Sequence, residues 1–366
     1  MSLALAHEFF SVRGGAERVI EVFHRMYADA PIYTFFHDRR AYGPLPGYKL
    51  RTSFLQGLPL GGGLHRALLP LYPRAAAGLH VAGDTELLLT STSAFIKCLS
   101  VPNETVHVAY CHSPTRYLWD WSEQYLADEV PAPLRGTVRS LLPGLREADL
   151  RGAKRIDHWI ANSDVVRGRI KRYYGRDSEV VHPPVDVDAF TPAAQRGDFW
   201  LALPSRLVAY KRVDLAVQAF NEVGLRLIVV GDGRERGALD QLARDNVTFA
   251  GRVDDATVKQ LLGSARGLIF PGEDDFGIAC VEALASGAPV VALARGGATE
   301  IVRDGVDGAL VPEPDAHQFA EAVRGVERAA LDPRELRRSA RRFDVSRFET
   351  RIRASLDHAR AEGRAS

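Results

Sequence analysis

Cysteine, methionine and tryptophan are scarce in this chain, at three, two and four residues. Cys98, Cys111 and Cys280 stand far apart, with no C-x-x-C pair and no ligand-like spacing. That argues against a disulfide framework or a zinc site and fits buried thiols in a reducing compartment. Charge of one sign is also lacking: Lys and Arg total 47, Asp and Glu 46, for a formal net charge of +1. Such a balance predicts no nucleic-acid partner. No apolar run approaches the roughly 18 residues a membrane span needs. The apolar stretch at residues 3–6 breaks at His7-Glu8 and has no basic flank, so it reads as a first buried strand rather than a secretory signal. These absences predict a cytoplasmic protein that meets a membrane, if at all, through its surface.

What is present suffices for two sizeable cores: 366 residues, 46% hydrophobic and 25% charged. In the second half, short apolar runs alternate with helical patterns. The runs fall at residues 199–202, 226–230, 247–249, 267–270 and 289–293, and Val213, Leu215, Val217 and Phe220 mark a helix between the first two. Runs of this length between helices predict a parallel sheet covered on both faces. The first half repeats the style at residues 3–6, 32–36, 86–90, 105–110 and 158–162. Between the halves lies HPPVDVDAFTP, where Pro183-Pro184 can continue neither a helix nor a central strand. The expected architecture is therefore α/β: two Rossmann-like, doubly wound domains facing a cleft. Residues 1–182 form the first, 183–345 the second, and 346–366 a closing helix that packs back toward the first. In such sheets ligands bind beyond the carboxyl ends of the strands.

One stretch of the first half, from Tyr48, reads as not sheet-like. It mixes Lys49, Arg51, Arg66 and Arg74 with Leu55, Leu58, Leu64, Leu68 and Leu69. Helices covering the sheet are the plainer reading, and a peripheral surface for anionic lipid is the other.

The stretch PGEDDFGIACVEA, residues 271–283, carries the most chemistry. Pro271-Gly272 ends a strand, Glu273, Asp274 and Asp275 follow, and Gly277 lets the backbone approach a ligand before a helical pattern opens at Ile278. The first turn of that helix favours an anion such as phosphate. Carboxylates beside a phosphate would repel it, so they suit sugar or ribose hydroxyls instead. A nucleotide sugar offers a hydroxylated ring on each side of its phosphates.

Asp274, Phe276-Gly277 and Glu282 resemble the E-x-F-G-x-x-x-x-E motif of retaining GT-B glycosyltransferases of family 4, the glycosyltransferase group 1 enzymes. Gly14-Gly15-Ala16-Glu17-Arg18 is similar to their amino-terminal glycine loop, Arg206 with Lys211 to their basic pair, and Gly231-Asp232-Gly233 to the turn before a cleft-side helix. Gly296-Gly297 with Glu300, and Asp304-Gly305 with Asp307-Gly308, resemble the closing segments. His112 in CHSPTRYLWD is similar to the histidine of the first domain. Any one motif is weak, and the ordered set covers nearly the whole chain. CHSPTRYLWD and PGEDDFGI further resemble mannosyltransferases of O-antigen and exopolysaccharide assembly, which commonly use GDP-mannose.

The resemblance implies a role for each residue. Arg206 and Lys211 neutralise the donor diphosphate and the departing nucleotide. Gly14, Gly15, Gly231, Val253, Phe276, Gly277 and Ile278 line the donor. Glu282 accepts from ribose hydroxyls, and Asp274 from hydroxyls of the transferred sugar. Asp stands where the family has Glu, so Glu273 and Asp275 are alternatives to Asp274. His112 bonds the donor sugar or shapes the acceptor's approach. Tyr117, Trp119 and Trp121 either stack on an acceptor sugar or belong to the core. Asp186-Val187-Asp188 matches a metal-binding D-x-D pattern but lies in a segment similar to the family's V-D-x-x-x-F linker, so no metal is expected. The arginines at 334, 337, 338, 341 and 342 read as a solvated helix face.

Together these imply retaining transfer of a hexose, with mannose from GDP-mannose preferred, to a hydroxyl of a glycan or lipid-linked acceptor in cell-surface polysaccharide synthesis. The departing phosphate itself takes the acceptor's proton, and no side chain stands out as a covalent nucleophile. A UDP-glucose- or UDP-galactose-dependent transferase shares every motif. A nucleotide-sugar 2-epimerase and a non-catalytic sugar-nucleotide-binding protein are the remaining alternatives.

Overall fold

A computed structural model describes residues 2–58, 68–120, 122–130 and 132–363. The chain divides into two units, one comprising Met1–His182 with Phe348–Ser366 and the other Pro183–Arg347.

The first unit is built on seven strands: β1 (Leu3–His7), β2 (Pro31–Thr34), β3 (Lys49–Thr52), β4 (Leu87–Thr92), β5 (Val106–Cys111), β6 (His158–Ala161) and β7 (Glu179–Val180). Their order is β3-β2-β1-β4-β5-β6-β7, and every pairing is parallel. The central strands are rich in apolar residues because helices cover both faces, and β1 and β4 are buried at every position. The strand order reverses between β1 and β4, which opens a crevice at their carboxyl ends. Helix Val345–Gly363 closes this unit from Phe348 onward, where Phe348 stacks on Phe23 at 5.7 Å and meets the Tyr110 ring edge-on.

The stretch from Tyr48 departs from expectation. Lys49–Thr52 is β3, an edge strand that follows β2 through four registered pairs. Its charged, exposed side chains concealed it from apolar patterning, and such side chains protect a sheet edge from further pairing. Lys49 Nζ donates to the Asp29 carbonyl at 3.0 Å and to its carboxylate at 3.1 Å. Leu55 and Leu69 are buried in the core, helix Tyr72–Ala77 packs over it, and Phe54 and Leu58 are exposed. Leu64 and Arg66 lie outside the described residues.

The second unit has six parallel strands: β8 (Phe199–Arg206), β9 (Arg226–Asp232), β10 (Val247–Gly251), β11 (Leu268–Phe270), β12 (Val290–Leu293) and β13 (Gly308–Val311). Their order is β10-β9-β8-β11-β12-β13. Here the reversal falls between β8 and β11. Trp200, Leu227, Val229, Ile269 and Val291 fill one face with Phe220 and Phe319, while Leu201, Leu268, Val290 and the helix Ile278–Ala285 fill the other. Among the described residues no helix is long and apolar enough to cross a membrane.

Candidate functional site

In the second unit the reversal point gathers two loops. After β8 the chain carries Arg206 and then a single 3-10 turn, Ala209–Lys211. After β11 it carries Pro271-Gly272 and the three acids. Gly272 lets the two backbones touch: a Cβ there would lie 2.9 Å from both Lys211 Cα and Lys211 O. That contact sets Lys211 Nζ against both oxygens of Asp274, at 2.8 and 2.5 Å. The two side chains keep only 15% and 20% of their surface exposed, so the pair is neither solvated nor sealed. Arg206 is exposed, with its guanidinium donating to the Tyr210 hydroxyl at 3.3 Å.

Asp274 is thus held beside Lys211, one cation of the basic pair. Glu273 is exposed and Asp275 part-buried. The loop's shape is imposed from the β12 side. The Gly297 N–H donates to the Asp274 carbonyl at 2.9 Å. A Cβ on Gly296 would stand 2.4 Å from that same carbonyl oxygen, and one on Gly297 would stand 2.3 Å from Phe276 Cα. Gly277 then turns into the left-handed region, φ 95°, and caps helix Ile278–Ala285. Phe276 is buried and meets Phe343 edge-on at 5.5 Å. Glu282 is 5% exposed on a helix whose other inward residues are apolar. Burial, with Asp274 nearby, pushes the Cys280 thiol well above its ordinary value, so it is an inert core residue.

Gly231 lies inside β9 rather than in a free turn. Its φ of 139° lets it pass against Ser205, whose carbonyl oxygen would be 2.9 Å from an added Cβ. Val253 is part-buried against the core on the loop after β10. The D-x-D residues have structural partners: Asp186 accepts from the Ala189 N–H at 3.2 Å, and Asp188 is paired with Arg341 at 2.6 Å. One exposed group among the described residues, Glu222, His317 and Glu321, could offer three ligand atoms to a cation, and Arg324 already pairs with both of its carboxylates.

In the first unit the reversal point gathers a second set. Gly14 caps helix Gly15–Met26 in extended geometry, and a Cβ on it would meet Glu17 Oε2 at 3.0 Å. His112 follows β5, where its backbone N–H donates to the Thr92 carbonyl and its carbonyl accepts from Asn162 Nδ2, each at 2.9 Å. Its Nε2 lies 2.8 Å from Ser91 Oγ, which in turn lies 3.0 Å from His7 Nδ1. Burial, with His7 close by, depresses His112 to about 3, so the ring is neutral at ordinary pH.

Trp119 is part-buried against the apolar core of the first unit. Its indole N–H donates to Asp149 at 3.0 Å, its ring stacks on Tyr173 at 5.0 Å, and Arg146 sits over it. Tyr117 is part-buried against the same apolar cluster, and Trp121 lies outside the described residues.

Beneath these loops are two buried charged groups that the sequence reading did not single out. Glu8 accepts from the backbone N–H groups of Ser93, Ala94 and Ile96 and from the Thr92 hydroxyl, tying the carboxyl end of β1 to that of β4. Burial nevertheless raises its pKa. Asp149 accepts from Lys97, Thr115, Trp119 and Tyr174, and so anchors the chain that runs on from His112. Burial works against the Lys97 charge, but Asp149 beside it holds its pKa well above the usual lysine value. The available signal was a lysine inside the apolar run AFIKCL.

Solved structures align with this chain over nearly its whole length. Anabaena HepE in complex with UDP and glucose superposes with a TM-score of 0.69 at 20% identity, covering 98% of this chain and 99% of that one. Sucrose-phosphate synthase from Thermosynechococcus elongatus gives 0.72 at 17% identity, with 98% and 99% covered. The fold is GT-B. Within it, residues 199–327 match the family model described as glycosyl transferases group 1. D-inositol 3-phosphate glycosyltransferase of Mycobacterium tuberculosis is 32% identical over 203 residues, 49% of this chain and 42% of that protein. The chain thus matches less than half the length of this relative. The matched family segment includes the whole β8 and β11 reversal point of the GT-B second unit, with Arg206, Lys211, Asp274 and Glu282.

Proposed function

We propose that this protein is a retaining glycosyltransferase that moves a hexose from a nucleoside diphosphate sugar to a hydroxyl of a glycan or lipid-linked glycan. The observation that carries the reading is the meeting of Lys211 and Asp274 at the reversal point of the second sheet. A cation and a hydroxyl-accepting carboxylate placed together suit the two ends of a sugar–phosphate bond. Lys211 and the exposed Arg206 would stabilise charge on the departing diphosphate, Asp274 would hold hydroxyls of the transferred sugar, and Glu282 those of the ribose. The first turn of helix Ile278–Ala285 adds backbone donors toward phosphate. Catalysis is then charge stabilisation and positioning, with the departing phosphate taking the acceptor proton.

The resemblance of CHSPTRYLWD and PGEDDFGI favours GDP-mannose as donor and synthesis of a cell-surface polysaccharide as the setting. UDP-glucose is the second reading, favoured because a GT-B neighbour was solved in complex with UDP-glucose. Incubation of the protein with each donor, with thermal stability and product followed in parallel, tests both. Stabilisation by uridine ligands alone removes the mannose reading, and binding of either donor without transfer to any hydroxyl acceptor removes the enzyme reading. Metal independence is part of the proposal: activity should survive EDTA, and loss restored by Mg²⁺ or Mn²⁺ refutes it. Peripheral membrane contact through Lys49, Arg51, Phe54 and Leu58 predicts co-sedimentation with anionic liposomes at low salt, and no binding ends that part.

A further inference from the structure

Four side chains of the first unit lie in a row: Glu17, His7, Ser91 and His112. Glu17 Oε1 is 3.6 Å from His7 Nε2, His7 Nδ1 is 3.0 Å from Ser91 Oγ, and Ser91 Oγ is 2.8 Å from His112 Nε2. They come from helix Gly15–Met26, the end of β1, β4 and the position just after β5. His7 and Ser91 are buried, at 1% and 0% exposure, so water does not stand in for a missing partner.

A serine hydroxyl has one proton. With a ring nitrogen on each side, Ser91 donates to one and must accept from the other. Two directions are open to a row of neutral rings. In one, His7 accepts at Nδ1, Ser91 donates to it, and His112 donates to Ser91 from Nε2. In the other, every bond is reversed. Glu17 distinguishes them. At 3.6 Å its carboxylate is beyond hydrogen-bond length but close enough to attract an N–H and to repel a bare ring lone pair. It therefore favours a proton on His7 Nε2. A neutral His7 then has its lone pair on Nδ1, and the first direction follows.

We infer that Glu17, His7 and Ser91 act as positioning residues that fix His112 in its Nε2–H tautomer, leaving Nδ1 as a hydrogen-bond acceptor. His112 so fixed takes a hydrogen bond from a ligand hydroxyl and cannot donate one to an anionic oxygen. The burial that keeps the ring neutral acts in the same sense, since an imidazolium would donate from both nitrogens. Linking this acceptor to a sugar hydroxyl rests on the proposed transferase activity; the tautomer itself does not.

The test is long-range ¹H–¹⁵N correlation of the full chain labelled at histidine, at pH 8, where imidazoles are neutral. The His7 and His112 signals are assigned from the His7→Gln and His112→Gln variants. Both rings are expected as Nε2–H tautomers with no ligand present, and a predominant Nδ1–H form at either ring overturns the inference. Ser91→Ala should lower the Nε2–H share of His112 at least several-fold, and Ser91→Thr should restore it. Glu17→Gln should mix the tautomers of His7. An unchanged His112 tautomer in a folded Ser91→Ala protein also overturns the inference. Should Ser91→Ala fail to fold, the unsubstituted chain and Glu17→Gln still decide. Absence of transferase activity alongside the expected tautomers removes only the sugar partner.

Discussion

Lys211 donates to both carboxylate oxygens of Asp274, at 2.8 and 2.5 Å, so two groups assigned to opposite ends of a donor bond neutralise each other without a ligand. In the proposed reading, a bound diphosphate would draw Lys211 at least partly away from Asp274. That competition gives an unusual expectation. Asp274→Asn should lower turnover strongly while tightening nucleoside diphosphate binding by about fivefold, the equivalent of ~1 kcal/mol for a part-exposed pair. Calorimetric titration with GDP and UDP checks it, and weaker binding would show that Asp274 supports the diphosphate instead.

Lys211→Ala removes the cation itself. Turnover should fall by roughly 10²-fold or more, the loss typical of one electrostatic contact to a developing anion. Steady-state kinetics decide it, and near-normal rates would take Lys211 out of the chemistry.

Trp119 separates core from sugar platform. With its indole N–H bonded to Asp149 and one ring face on Tyr173, Trp119→Phe leaves a buried carboxylate short of a donor. Stability should drop by about 1–3 kcal/mol in urea unfolding, with the acceptor KM of the folded fraction unchanged. A raised KM at full stability would return Trp119 to the acceptor.

Acid should weaken the first unit through its enclosed histidines. Burial depresses His107 to about 3, from an ordinary value of 6.5, and its Nε2 is bonded to Thr90 at 2.8 Å. Between those values the unfolded chain binds the proton and the native one does not. Stability is therefore full above 6.5 and declines as pH falls, with a limiting slope of about 1.4 kcal/mol per pH unit for each such ring. His107→Gln should remove one ring's share of that slope in urea unfolding between pH 7 and 4. An unaltered slope would mean that His107 titrates normally.

The fold was readable where apolar residues fall on both faces of a strand: β1, β4 and β12 are buried at every position, and β8 and β9 carry apolar, largely buried middles. β3, β7 and β13 escaped for a different reason in each case. β3 is a charged edge, β7 has two residues, and β13 opens on Gly308, whose φ of 150° brings it against the Val290 carbonyl. The acidic loop was legible because its residues are contiguous. The pairing of Asp274 with Lys211 was not, since it depends on a backbone contact at Gly272 between segments some sixty positions apart. Likewise no local pattern links His7, Ser91 and His112, which only sheet register aligns. Lys97 and Asp149 left half a clue, a charge inside an apolar run, without its partner.

Gly296 and Gly297 press against the backbone of residues 274–276 so closely that neither has room for a side chain. The acidic loop is therefore not a portable module. An exchange of residues 271–277 with a relative of different donor preference would place a foreign backbone against an unaltered neighbour. Recombination aimed at new specificity should carry residues 294–298 along with it, as one inheritable block.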